Sequence, residues 1–145
     1  MSRTLVRRYV PDLAALLRCC ELNYVRLHQL LRPLEQAGQS QSWALDGETL
    51  VVAVVDEITR YTALISLHQQ RAGTPDWLLP AMRVRMYHDA RLAEVLTSQQ
   101  ISSLAPRYDY PNAKMHQRDE KYRVNHFLGE WLAVSHRIGY CQSAE

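Results

Sequence analysis

A chain of 145 residues, 47% hydrophobic and 22% charged, has the size and composition of one soluble globular domain, able to bury roughly two thirds of its unfolded surface. No apolar run approaches the ~20 residues of a membrane span, so no membrane partner is expected. The net charge of +2 lacks the basic surplus of a DNA-binding protein.

The N-terminal stretch MSRTLVRRYVPD is interrupted by Pro11 and Asp12 before it reaches signal-peptide length, so a cytoplasmic location is expected. An odd set of cysteines, Cys19, Cys20 and Cys141, makes a poor disulfide framework and fits reduced thiols in that compartment.

In chain order, Pro11 to about Leu31 reads as a helix. Pro11 suits a first helical turn, and Leu13, Leu16, Leu17, Cys20, Tyr24, Leu27 and Leu31 recur on one stripe that must face a core. Asn23 borders that stripe, so its amide is expected to be buried and bonded. Pro33 and Gly38 mark the exit.

From Ser42 the period becomes extended. Ser42 to Leu45, Asp46-Gly47 and Thr49 to Asp56 read as a hairpin in which Asp-Gly supplies the positive φ of a tight turn. Leu50 to Val55 is apolar at every position and should be central, covered on both faces or on one. Tyr61 to Leu67 follows with Tyr61, Ala63, Ile65 and Leu67 on one face, and the neighbouring strands suggest an antiparallel meander.

Ala81 to His88 alternates Met82, Val84 and Met86 with Arg83, Arg85 and Tyr87. Two guanidinium groups and a phenol therefore line one face, either as a plain solvated surface or as an anion-binding one. Residues 91–98 read as a strand from hairpin context, against a composition that also suits a helix.

Pro106 and Pro111 bracket Arg107-Tyr108-Asp109-Tyr110 in an extended loop. Asn112 then caps a final helix that should end near Gly139. Val124, Phe127, Leu128, Trp131, Leu132 and Ile138 form its apolar stripe, which turns polar at Lys121 and Gln117. A lysine on that line calls for a carboxylate partner. From Arg83 to Arg123 there are eight basic and five acidic residues, against nine and ten elsewhere, so the positive character is local and diluted.

The segments CELNYVRL, EITRYT, MRVRMYHDARLAEV and RYDYPNAKMHQRDEKYRVNHFLGEWL closely resemble the bacterial YqiB-like family, a family of unknown function. The resemblance spans roughly Tyr9 to Gly139. It implies a small cytoplasmic protein and assigns no activity, cofactor or catalytic residue.

The fold expected is a single α+β domain spanning residues 1–145: an N-terminal helix, an antiparallel sheet of four or five strands, and a C-terminal helix packed on the sheet. The usual nucleotide, hydrolase and zinc motifs are absent, and the balance leans away from an enzyme. A ligand- or partner-binding surface is expected from Arg83, Arg85, Tyr87, Arg107, Tyr108, Tyr110, Lys114, His116, Glu120 and Lys121. The reading preferred is a non-catalytic protein-binding or regulatory module. Its alternatives are a nucleotide or other small phosphorylated ligand, with an associated hydrolase activity, and single-stranded RNA.

No cofactor and no metal are expected. His116 and Glu120, four apart on a helix, are weak metal candidates, with His88 and Asp89 as distant partners. Cys20 lies on the apolar stripe, where a thiol is inert.

Overall fold

The computed structural model describes residues 13–99 and the backbone of 113–143, with side chains in that second stretch described for 120–135. The described elements are α1 (Leu13–Leu30), β1 (Ser40–Ala44), β2 (Thr49–Ile58), β3 (Thr62–Arg71), a 3-10 turn (Asp76–Leu78), β4 (Ala81–Tyr87), β5 (Leu92–Gln99) and α2 (Ala113–Ser143). This is the α+β arrangement expected, with five strands in the order β1-β2-β3-β4-β5, each antiparallel to its neighbour. Residues 92–99 are a strand. No helix among the described residues is long and apolar enough to cross a membrane.

Both helices cover one face of the sheet. Tyr24 and Leu27 of α1 and Leu128, Trp131 and Leu132 of α2 join Trp43, Val51, Ala53, Val55, Ala63, Ile65, Leu67, Met82, Val84, Met86, Ala93 and Val95 in one core. Strand alternation explains this set, because successive side chains point to opposite faces. On β2, Val51, Ala53 and Val55 are buried, while Val52 and Val54 are half-buried and Leu50 is exposed. That strand is therefore covered by helices on one face only.

A polar network holds the two helices to the β5 edge. The Asn23 amide nitrogen donates to the Asn125 carbonyl at 2.9 Å, and the Asn125 side-chain oxygen accepts the Val95 backbone N–H at 3.0 Å. Buried backbone donors require such partners. The expectation that Asn23 is buried and bonded holds through its nitrogen, while its Oδ1 has no partner among the described residues. Arg26 adds a bond from Nη1 to the Gly129 carbonyl at 3.1 Å.

Several local expectations are corrected. The β1–β2 turn does not use a positive φ at Gly47. Positive φ occurs at Gly38, Gly73 and Arg91, and the Asp46 carboxylate instead accepts the backbone N–H groups of Glu48 and Thr49, each at 2.8 Å. This side-chain turn replaces the glycine conformation. The final helix does not end at Gly139 but continues to Ser143, since an isolated glycine costs a helix only about 1 kcal/mol.

The leading part of the α1 stripe is not core: Leu13 and Leu17 are exposed. Tyr61 is also exposed, outside β3. The expectations for Pro11 and for Asn112 as a cap lie outside the described residues, as do those for the side chains of Gln117, Ile138 and Cys141.

Candidate functional site

The face of the sheet away from the helices carries the polar residues of β3, β4 and β5. Antiparallel register puts Ser66, Arg83 and Thr97 in one cross-strand row and His68, Ala81 and Gln99 in the next. Between these rows and the 3-10 turn lies a groove of about 590 Å³, lined by Ser66, His68, Asp76, Arg83, Thr97 and Gln99 among others. It is a shallow depression open to solvent.

Two irregularities shape the groove. A register shift between Val55 and Glu57 makes Asp56 the extra residue of a bulge. Bulges re-aim side chains, and here the Asp56 carboxylate meets Ser66 and Arg83: its Oδ2 accepts the Ser66 hydroxyl and an Arg83 Nη2–H at 3.3 Å. A second shift at Arg83/Val84 leaves Leu96 exposed on β5.

At the other side, Ala72-Gly73 turns the chain, with Gly73 at φ +82° and a Thr74 N–H to Arg71 carbonyl bond at 3.1 Å. Positive φ at the third residue suits a glycine in a type II turn. The 3-10 turn then follows, tethered by the Gln99 amide to the Asp76 and Leu79 carbonyls at 3.5 and 3.4 Å. Next to Asp76, Trp77 is 67% exposed and Leu78 48%.

The structure brings some of the sequence-derived site residues together. Arg83, Arg85 and Tyr87 share the outer face, and Arg85 pairs directly opposite Glu94. The Glu94 carboxylate accepts a hydrogen bond from the Lys121 ammonium, so the β4–β5 face and the early part of α2 meet at the β5 edge. Lys121 is thus carboxylate-paired, on an exposed position. Glu120 is half-buried on the same helix. Arg107, Tyr108 and Tyr110, and the side chains of Lys114 and His116, lie outside the described residues.

His88 has a different job from the metal partner considered for it. Its Nδ1 and the Tyr24 hydroxyl form a hydrogen bond at 2.9 Å, with the rings edge to face at 5.9 Å. This contact seats the β4–β5 hairpin against α1. Asp89 accepts the neighbouring Ala90 N–H. Among the described residues no three His, Cys, Asp or Glu side chains converge on a metal position.

The α1 thiols are suppressed as nucleophiles. Burial pushes Cys20 up to about 11, with Cys19 and Glu94 adding to the effect and Lys121 opposing it. Burial also raises Cys19, against a hydrogen bond from Asn23 and the charge of Arg26. Thiolates carry the reactivity, and neither residue is set to form one near neutral pH.

Sequence reasoning missed Asp56, Ser66, His68, Asp76, Trp77, Thr97 and Gln99. Ser66 and His68 were visible as the polar side of β3. Joining them to Thr97 and Gln99 requires the register of three strands, and Asp56 enters only through a bulge.

A family model described as a protein of unknown function (DUF1249) matches residues 26–141. The chain is 44% identical over 127 residues to proteins called Uncharacterized protein YqiB from Escherichia coli strain K12 and from Escherichia coli O157:H7, covering 88% of this chain and 90% of theirs. No solved structure matches the chain.

Proposed function

The chain belongs to the DUF1249 family, whose YqiB-like members its motifs resemble, and from that premise we propose a non-catalytic module that binds a protein partner through the outer face of its sheet. The observation that carries this reading is the 590 Å³ groove lined by Arg83 and Asp76, with Trp77, the residue after Asp76, 67% exposed. Tryptophan and arginine are the residues most often found to dominate protein interfaces. Here the 3-10 turn that carries the groove residue Asp76 also exposes Trp77 and Leu78 to solvent, and Arg83 supplies a directional cation within the groove.

Charge weighs against the phosphorylated-ligand and RNA alternatives at this groove. A phosphate would gain Arg83 but meet the Asp56 and Asp76 carboxylates beside it, and like charges at such range repel. A reducing compartment, the cytoplasm, suits the free thiols of Cys19 and Cys20.

The test is affinity capture from native cytoplasm with the wild-type chain, a Trp77→Ser/Arg83→Ser variant and an α1-surface control, Glu21→Ser. The reading expects one partner retained by wild type and control and lost by the groove variant. A partner held equally by all three chains would refute it.

A further inference from the structure

We infer that the groove recognises a carboxylate side chain in an extended segment of its partner, with the Arg83 guanidinium as the reading group and Asp56 as an internal competitor that it exchanges. This deepens the reading of the groove as a partner-binding surface and rests on it.

Three observations support the exchange. First, Arg83 is held to Asp56 through one nitrogen only, at 3.3 Å, with half of its side chain exposed. A guanidinium carries five donors in a fork that fits carboxylates two at a time, so a single long contact leaves most of that capacity unused.

Second, Asp56 is not stranded when Arg83 turns away. The same Oδ2 holds the Ser66 hydroxyl, and the side chain keeps 26% of its exposure. Releasing Arg83 therefore leaves a bonded, hydrated carboxylate rather than a buried unpaired one, and the penalty of breaking a buried pair does not arise.

Third, the surroundings of Arg83 offer hydrogen-bond partners to an extended peptide. Arg83 is flanked in its cross-strand row by Ser66 and Thr97; the Thr97 hydroxyl can donate to or accept from a peptide, and the Ser66 oxygen, its proton given to Asp56, can accept. Spanning three strands spaced by ~4.8 Å, the groove is roughly 10 to 15 Å long, which matches three or four extended residues. Asp76 and Asp56 oppose every anion, and a doubly charged phosphate more strongly than a carboxylate.

The test uses a library of octapeptides, acetylated and amidated to remove terminal charges, with randomised flanks and a central Glu, Gln, Lys or phosphoserine. Binding to the wild-type chain is measured by fluorescence polarisation. Glu-centred binders should exceed their Gln counterparts by about tenfold, the low end for a charge-assisted hydrogen bond. Arg83→Gln should abolish that preference and Arg83→Lys should keep part of it. Asp56→Asn, which removes the competitor, should strengthen Glu-peptide binding by about threefold.

Binding without a preference for Glu, stronger binding of phosphoserine, or weaker Glu binding by Asp56→Asn would each overturn the inference while leaving the groove as a binding surface. Absence of binding by every library class would remove the inference and the extended-segment reading of the groove together. Arg83 and Asp56 lie outside the helix-covered core, and thermal melts of each variant confirm the fold before binding is scored.

Discussion

Gly129 on α2 meets Asn23 on α1 so closely that a β-carbon added at Gly129 would lie 3.0 Å from the Asn23 Oδ1. Asn23 cannot easily yield, because it is buried and its nitrogen is held by the Asn125 carbonyl at 2.9 Å. The glycine sets how near the helices approach, and the two asparagines use that approach to bind α1, α2 and β5 together.

Gly129→Ala should therefore destabilise the protein, although alanine gains about 1 kcal/mol over glycine as a helix residue. Displacing Asn23 forfeits a buried hydrogen bond worth about 1–3 kcal/mol when its partners are left unmet, so a net loss of about 1 kcal/mol is expected in urea unfolding. In an Asn23→Ala background the clash is gone, and the same change should stabilise. A double-mutant cycle measures this reversal directly.

Asn125→Ala should cost about 2–3 kcal/mol, because it leaves the Val95 N–H without its side-chain acceptor and opens a small void. Hydrogen exchange adds a local signature. The Val95 amide should lose protection more than its β5 neighbours.

Stability should fall in alkali through Cys20. Its thiol titrates near 9.0 when unperturbed and near 11 in the folded chain, so the folded state retains a proton that the unfolded state releases. The contribution is fully present below pH 9, declines as pH rises through 11, and amounts to roughly 2 kcal/mol. Cys20→Ala should flatten the unfolding free energy across that window, as followed by urea melts at successive pH values.

Binding and stability should separate at the groove. Arg83→Ser and Trp77→Ser remove exposed side chains with few packed contacts, so each should change unfolding free energy by no more than about 0.5 kcal/mol. Partner retention should nevertheless drop at least tenfold, as anchor residues at interfaces do. Calorimetric unfolding beside a binding titration distinguishes the two effects.

The fold was largely legible because two periodicities carry it. Met82, Val84 and Met86 alternate with Arg83, Arg85 and Tyr87, and the observed strand buries the first set. Tyr24, Leu27, Leu128, Trp131 and Leu132 recur at helical spacing and form the observed core. Periodicity marks a face but not how far its cover extends, which is why the stripe at Leu13 and Leu17 proved exposed.

Contacts that depend on depth and register were not legible. Asn125 and Gly129, one turn apart, carry no signal in the periodicity, yet both meet Asn23 of α1. Asp46-Gly47 suggested a glycine-dependent turn because that pairing is common, whereas the aspartate side chain does the work of the backbone. The groove draws on three strands and a bulge, and of its members only Arg83 stands out within its own segment.

The central claim is that a partner engages the outer face at the groove, and the three tryptophans of the chain make it measurable. Trp43 and Trp131 are buried, while Trp77, next in the chain to the groove residue Asp76, is 67% exposed. The chain labelled with 5-fluorotryptophan gives one fluorine resonance for each, assigned by single substitution, and the unlabelled partner is added. Movement of the Trp77 resonance with those of Trp43 and Trp131 unchanged is the expected result. A complex that forms while the Trp77 resonance stays fixed would contradict the claim.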